Sequence, residues 1–259
     1  ERWGVIFRRD ADGIPLVRRA SGHTLPRLAG AGDAMVRETQ QVLEEQCMKH
    51  GVVRRGDQIP LDLIHTNEQV HGLVCLDMTT GTVNSLQAKT VIIADGGFEG
   101  IWNNSTIGLG LDLAYRAGLA IRNLEFVEWS PLSVSGSNVV LPIGILADGA
   151  TIHHPNGTLL EVDDFADINT LAESIGDQKV VLDARNIGAS KDWWAQTSEI
   201  LLTRLGINME KQTIPISIRP SSTLGGITTD EHSRAISGKW SRWFTGLYAA
   251  GDSACSGLH

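Results

Sequence analysis

Residues 90–97, TVIIADGG, and residues 246–253, GLYAAGDS, decide the fold. Each stretch is a short apolar run that ends in small residues together with an acid or a glycine pair. Residues 90–94 show no polar alternation, which is typical of parallel strands buried on both faces. Cofactors approach the carboxyl ends of such strands, where small residues let the backbone come close. The two stretches predict adjacent strand ends at a cofactor site, although two core strands with tight turns remain an alternative from these residues alone.

The pattern around these stretches predicts the other elements. Residues 30–51 have the apolar spacing of an amphipathic helix that stops at Gly51. Residues 52–88 alternate in a period of two and predict a small meander, with a turn at Thr80-Gly81. A short helix that stops at Gly118 is expected over 108–118. From residue 139 to about 218 the pattern changes to short strands, turns and a helix near 192–206, which indicates an inserted domain.

Composition excludes several classes of protein. The 259 residues include 22 Lys and Arg against 30 Asp and Glu, a formal net charge of −8. A nucleic-acid partner is not expected, because basic contacts to phosphate supply most of that affinity. No membrane span is expected either, since the longest apolar stretch, residues 139–147, is far shorter than the ~20 residues that a membrane helix needs.

The cysteines and the first residues carry two further expectations. Cys47, Cys75 and Cys255 are an odd number with wide spacing, which suits neither a disulfide framework nor a zinc site. We therefore expect a cytoplasmic protein and no metal. The chain opens on ERWGVIF, without an initiator Met, and this predicts an internal fragment that is inactive alone.

Two glycine patterns match half of a dinucleotide fingerprint. GAGDAM at 30–35 and GLGLDL at 108–113 each precede a helix, but neither has the third glycine. The fingerprint needs strand, turn and helix together, so both patterns favour helix entries over phosphate cradles.

Seven segments in order resemble the flavoprotein subunits of succinate dehydrogenase and fumarate reductase, the wider family that includes L-aspartate oxidase. The segments are GVIFRRDADG, SGHTLPR, AGAGDAMVRETQQVLEEQ, AKTVIIADGGFEGIW, LAYRAGLAIRNLEFVEWSP, STLGGITTD and GLYAAGDSACSGLH. The resemblance implies an α/β fold, part of an FAD-binding Rossmann-like domain with an inserted α+β capping domain. The implied domains are 1–128 and 222–259 for the FAD-binding body and 129–221 for the cap.

The resemblance also implies cofactor residues. Gly96 and Gly97 match the family's Ala-Thr-Gly-Gly strand end, and Gly251 matches the glycine before its flavin-contacting acid. Asp252 replaces that Glu with a shorter carboxylate that can still accept a ribityl hydroxyl. The family's Gly-Asp-Gly is here Gly108-Leu109-Gly110, so one polar contact to FAD is lost.

The implied substrate pocket departs from the family. Ser130 and Ser221 stand where the family has substrate-binding histidines, and Ile143 lies where Thr-Glu-Gly has become apolar. No counterpart of the proton-shuttling Arg is found, and Arg185 is only the nearest basic candidate. Catalytic residues therefore remain unassigned.

The implied function is hydride transfer between a substrate C–H bond and FAD, with a small organic acid as substrate. A related flavin dehydrogenase for a less charged substrate and a non-catalytic flavin-binding homologue are the alternatives. The implied partner is an iron–sulfur or other electron-transfer subunit, which would place the protein peripherally at the inner face of the cytoplasmic membrane.

Overall fold

The computed structural model describes residues 1–20, 22–102, 106–162, 167–239 and 242–257. Ser21 and the last two residues of the GLYAAGDSACSGLH segment lie outside this part of the chain. The strands are β1 (Val17–Arg18), β2 (Leu28–Ala29), β3 (Gln58–Thr66), β4 (Gln69–Asp77), β5 (Val83–Gln87), β6 (Val91–Ile93), β7 (Ile121–Arg122), β8 (Val127–Val134), β9 (Thr151–His153), β10 (Leu159–Leu160), β11 (Val180–Asp183), β12 (Ile214–Thr223), β13 (Gly226–Thr228), β14 (Arg234–Ile236), β15 (Trp243–Ala249) and β16 (Ala254–Cys255).

Four α-helices and several 3-10 turns connect these strands. The α-helices are α1 (Met35–Lys49), α2 (Leu109–Arg116), α3 (Ile168–Ile175) and α4 (Ala195–Leu205). Residues in the left-handed region follow three of these helices, Gly51 after α1, Gly118 after α2 and Gly206 after α4, where glycine ends a helix at no steric cost. The predicted stops at Gly51 and Gly118 are therefore confirmed.

The chain forms two compact units. The first contains residues 1–53 and 129–219, and the second contains residues 54–128 and 220–259. One border lies between residues 53 and 54, and the other two fall inside β8 and β12. The border at 128/129 coincides with the predicted domain boundary, and the border at 219/220 lies two residues before the predicted one.

The second unit carries the predicted strand pair. Its larger sheet has the order β14-β15-β4-β3, with β5 paired to β4 and β6 paired to β15. Strands β3, β4 and β5 form an antiparallel meander, as expected, and β6 and β15 are parallel. A smaller sheet has the order β16-β13-β7. The buried core of this unit includes Leu113, Ile227, Phe244 and Leu247.

The first unit is built on a sheet with the order β10-β9-β11-β12-β8. Its core contains Leu132, Ile152, Leu182, Leu201 and the Trp193-Trp194 pair. Helix α3 was not predicted, although the side chain of Asp167 accepts a hydrogen bond from the Thr170 backbone N–H at 2.8 Å and marks the helix start.

Residues 1–53 pack with residues 129–219, whereas the sequence grouped them with the FAD-binding body. The Asp33 carboxylate accepts hydrogen bonds from the backbone N–H groups of Gln196 (3.1 Å) and Thr197 (2.6 Å) at the start of α4. The Arg18 guanidinium lies 4.6 Å from the ring centroid of Trp193 and pairs with Asp148. These contacts join positions more than 100 residues apart, which local patterns do not encode.

The prediction that residues 90–94 are buried on both faces is wrong. Val91 and Ile93 are buried, but Ile92 between them is 64% exposed. One face of β6 therefore packs against the core of its unit and the other is open within the described chain.

Substituting Asp33 tests the link between residues 1–53 and α4. We expect Asp33→Ala to lower the free energy of unfolding by about 0.5–2 kcal/mol, because two backbone N–H groups at the helix start lose their acceptor. Asp33→Asn keeps one acceptor oxygen and should lose less. Denaturant unfolding measures both variants, and equal stability of Asp33→Ala and the wild type would contradict the assignment.

Candidate functional site

The carboxyl ends of β6 and β15 meet in register. Leu247 pairs with Val91, and Ala249 pairs with Ile93. The Ile93 carbonyl accepts hydrogen bonds from the Ala250 backbone N–H at 2.9 Å and from the Ser253 hydroxyl at 3.1 Å. The prediction that these two strand ends come together is confirmed.

The glycines at this junction are explained in part by the protein's own side chains. A Cβ atom on Gly97 would lie 2.0 Å from Thr223 Oγ1 and 2.4 Å from Glu99 Oε1. Gly96 has φ +88°, and its Cβ would lie 2.8 Å from a methyl group of Thr106. Glycine is thus required at both positions for packing, and their role toward a cofactor stays a prediction.

The turn after β15 is open. Gly251 has φ +68° and a Cβ there would meet nothing within 4 Å. Gly251 and Asp252 are both exposed, whereas Ser253 is buried and also donates to the Ala250 carbonyl at 2.8 Å. The backbone of this turn is held rigidly while its outer side stays accessible, as close approach of a ligand requires.

The amino end of α2 is already occupied by a carboxylate. The Gly110 backbone N–H donates to Asp95 Oδ2 at 2.6 Å, and a Cβ on Gly110 would lie 2.2 Å from Asp95 Oδ1. A phosphate at this helix end would face a like charge. The Gly108-Leu109-Gly110 segment therefore acts as a helix entry in this structure.

Glu99 is a buried acid that sequence reasoning missed. It is 3% exposed, and its Oε1 accepts from the Thr223 backbone N–H at 2.7 Å and the Thr223 hydroxyl at 2.9 Å. Thr106 donates to Oε2. Burial alone would raise the pKa of Glu99, but the hydrogen bonds from Thr106, its own backbone and Thr223 together lower it. The signal that could have identified it is an acid two residues after a glycine pair at a strand end.

The two candidate pocket serines have different surroundings. Ser130 lies in β8 and is 4% exposed, within the first unit. Ser221 lies in the part of β12 that belongs to the second unit, and its hydroxyl is 3.3 Å from the Glu128 carbonyl and 3.5 Å from Glu128 Oε1. Glu128 occupies the Gln position of the family's Met-Glu-x-x-Gln pattern, so an acid is adjacent to Ser221.

Arg185 and Ile143, the other two residues considered for the predicted pocket, contact residues of the first unit. Arg185 binds Asp183 at 2.6 Å, and the Arg185 hydrogen bond lowers the Asp183 pKa although burial opposes it. Ile143 packs against the core of the same unit. A proton-transfer role for Arg185 gains no support from this pairing.

An open groove of about 800 Å³ lies on the meander, lined in part by Ile64, His71 and Lys89. The Lys89 carbonyl lies against Gly246 in the first half of β15, so this groove is at the other end of the strand from Gly251.

Comparison with known proteins agrees with this geometry. The FAD binding domain family matches residues 1–259. The fumarate reductase flavoprotein subunit of Serratia sp. is 26% identical over all of this chain and 48% of its own length. The mitochondrial succinate dehydrogenase [ubiquinone] flavoprotein subunit of Oryza sativa is 26% identical over all of this chain and 47% of its own.

A solved structure supports the fold. A variant of Escherichia coli quinol fumarate reductase is similar with a TM-score of 0.86 at 24% identity, covering 100% of this chain and 49% of that one. The chain thus spans about half the length of the curated relatives it matches.

The chain belongs to the FAD binding domain family, and FAD is its cofactor. Its similarity to succinate dehydrogenase and fumarate reductase flavoprotein subunits confirms the family predicted from the seven segments. The paired strand ends and the open Gly251-Asp252 turn fit a dinucleotide at the carboxyl edge of the sheet. Within the described residues, the helices are too short or too polar to span a membrane.

Gly97→Ala tests the packing at the junction. The added methyl overlaps Thr223 and Glu99, so we expect a loss of about 1–3 kcal/mol in the free energy of unfolding, the usual cost of overpacking. Gly56 lies in the same unit, and a Cβ there would meet nothing within 4 Å, so Gly56→Ala is the control and should be near neutral. Equal stabilities of the two variants would show that the junction is loosely packed.

Acid unfolding tests the charge of Glu99. Its pKa is lowered in the folded protein, so its stabilising contribution is complete above the unfolded pKa of about 4.3 and is lost as pH falls through the folded value. We expect Glu99→Gln to flatten the fall in stability below about pH 5, a window set by that unfolded value. Denaturant midpoints between neutral and acid pH measure this slope, and an unchanged slope would mean that folding does not lower the pKa of Glu99.

Proposed function

We propose that the complete protein is an FAD-dependent oxidoreductase that acts on a CH–CH group of a small organic substrate. When bound, FAD supplies the hydride acceptor or donor, and the protein supplies orientation and electrostatics. The observation that carries the proposal is the parallel pairing of β6 and β15, whose ends meet beside an accessible turn.

The residues at this turn have distinct proposed roles. The Gly251 backbone would lie against the cofactor, because no side chain separates it from solvent. The Asp252 carboxylate would accept a hydroxyl hydrogen bond from the ribityl chain. Gly96 and Gly97 would let the loop after β6 pack closely beside the cofactor. The side chains of Thr106, Thr223 and Glu99 occupy the space that a Cβ atom on these glycines would need.

The substrate proposed here carries less negative charge than succinate or fumarate. Ser221 replaces a histidine that would offer a longer, chargeable donor, and it lies 3.5 Å from the carboxylate oxygen of Glu128. A substrate carboxylate at this place would meet a negative charge, whereas the histidine of the family pattern would offer it a hydrogen-bond donor.

The proposed setting follows the names of the relatives. Two of them are flavoprotein subunits, which supports an iron–sulfur or other electron-transfer subunit as the partner of the complete protein. Such a partner would hold it peripherally at the inner face of the cytoplasmic membrane. A free cytoplasmic protein that uses a diffusible acceptor is the alternative.

Substrate-dependent bleaching of the flavin absorbance tests the function. We expect the complete protein, loaded with FAD, to be reduced by a less charged acid faster than by succinate. A protein that binds FAD and is reduced by no member of a broad panel would be the non-catalytic homologue. Succinate turnover equal to that of an ordinary family member would overturn the proposed substrate class.

Two substitutions test the charge argument directly. Ser221→His combined with Glu128→Gln should strengthen succinate binding about 10- to 100-fold, because one hydrogen bond to a charged group is worth roughly 1.5–3 kcal/mol. Ser222→His, combined with the same Glu128→Gln, changes the neighbouring residue of the strand, is the matched control and should strengthen binding less. Equal effects of the two histidine variants would place the substrate away from Ser221.

A further inference from the structure

We propose that Glu99 is a positioning residue for the flavin site, which fixes the end of β12 to the loop after β6 and places a carboxylate close to the strand ends. This inference rests on FAD binding and on no particular substrate. Its support comes from the contacts of Glu99, Thr223 and the two glycine turns.

The burial of Glu99 is the first argument. A buried carboxylate is costly unless it is paired and hydrogen-bonded. In the part of the chain that the structure describes, Glu99 accepts only from hydroxyl and backbone N–H groups, and no Lys or Arg forms an ion pair with it. A purely structural contact could be made by a neutral side chain, and departures from such local rules concentrate at functional sites.

Thr223 is held from three directions. Its backbone N–H and its hydroxyl both donate to Glu99 Oε1, and its hydroxyl oxygen accepts from the Phe98 backbone N–H at 3.2 Å. Gly97 lies where these groups meet, and they leave no space there for a Cβ atom. The end of β12 therefore has a single position relative to the loop after β6.

The contacts continue from Thr223 into a closed ring. Gly226, three residues further on, packs so tightly against the turn after β15 that its Cβ would lie 2.6 Å from the Ser253 carbonyl oxygen. The Ser253 hydroxyl donates to the Ile93 carbonyl at the end of β6. Glu99 thus closes a circuit that joins the ends of β6, β12 and β15, the edge where a dinucleotide binds.

The charge of Glu99 has a separate consequence. Reduction adds electrons to the flavin, and a fixed anion at the same edge of the sheet disfavours that step in a low-dielectric surrounding. Removing this charge while keeping the hydrogen bonds should make bound FAD easier to reduce. Glu99→Gln does this, because the amide oxygen still accepts from Thr223 and the amide NH2 donates to the Thr106 hydroxyl, which rotates to accept.

The experiment compares three variants of the complete protein with bound FAD. Glu99→Gln removes the charge, Glu99→Ala removes charge and hydrogen bonds, and Glu68→Gln is the control. Glu68 lies in the same unit, and its carboxylate is bound by Ser237 and Arg242. Its carbonyl accepts from the Thr245 N–H near the amino end of β15, at the other end of that strand from Gly251.

We expect Glu99→Gln to raise the flavin midpoint potential by about 30 mV, a tenfold change in the two-electron equilibrium. Glu99→Ala should in addition speed hydrogen exchange of the Thr223 amide at least tenfold, and Glu68→Gln should do neither. An unchanged potential in Glu99→Gln overturns the charge role. Unchanged Thr223 exchange in Glu99→Ala overturns the positioning role.

A second pair of variants covers the case in which Glu99→Ala does not fold. Thr223→Val removes the hydroxyl that links Glu99 to Phe98 and should weaken FAD retention several-fold, while Thr223→Ser should restore it. Equal retention in both variants contradicts the ring of contacts. A wild type that holds FAD but turns over no substrate would overturn the proposed function. The midpoint potential, the Thr223 amide exchange and FAD retention would still test the role of Glu99.

Discussion

The carbonyl oxygen of Ile93 is the point on which the site depends. It accepts from the Ala250 backbone N–H and from the Ser253 hydroxyl, and so holds the ends of two parallel strands together. Parallel strands that are neighbours in a sheet are joined by long connections, and here the paired residues Val91 and Leu247 are 156 positions apart (247 − 91). Their pairing brings the loop of residues 94–97 and the turn of residues 250–253 to one edge. This arrangement leaves Gly251 and Asp252 accessible at that edge and buries Glu99 beside it.

In the first unit, residues 1–53 are held mainly by polar contacts. Residues 1–53 contain α1, in which no residue is fully buried, so this segment gains little stability from its own packing. It is fixed by polar contacts instead. Asp33 binds the start of α4, and Arg18 lies over Trp193 and pairs with Asp148, which also accepts from the Trp194 indole N–H at 2.6 Å. Removing Arg18 would leave the charge of Asp148, whose side chain is 5% exposed, without its ion-pair partner, which costs more than the pair contributes. The Trp193-Trp194 pair therefore anchors this segment.

Sequence reasoning succeeded where the signal is local and failed where it is not. The apolar runs ending in glycine predicted β6 and β15 and their adjacency, and Gly51 and Gly118 predicted helix ends. The exposure of Ile92 could not be predicted, because coverage of a strand face depends on distant elements. The packing of residues 1–53 with residues 129–219 could not be predicted for the same reason, since Asp33 and Thr197 are far apart in the chain. Glu99 was missed because an acid after a glycine pair is usual in a solvated turn, and only the fold brings Thr106 and Thr223 to it. The roles of Gly96, Gly97, Gly251 and Asp252 toward FAD, and of Ser130 and Ser221 toward substrate, stay predictions.

The most direct test is an experimental structure of the complete protein with FAD bound. We expect the dinucleotide to run along the edge formed by residues 94–97 and 250–252, with Asp252 within hydrogen-bonding distance of the ribityl chain. We also expect Glu99 still to accept hydrogen bonds from both the backbone N–H and the hydroxyl of Thr223. FAD found instead against the meander groove near His71 and Lys89, with the Gly251 turn away from it, would contradict the central claim.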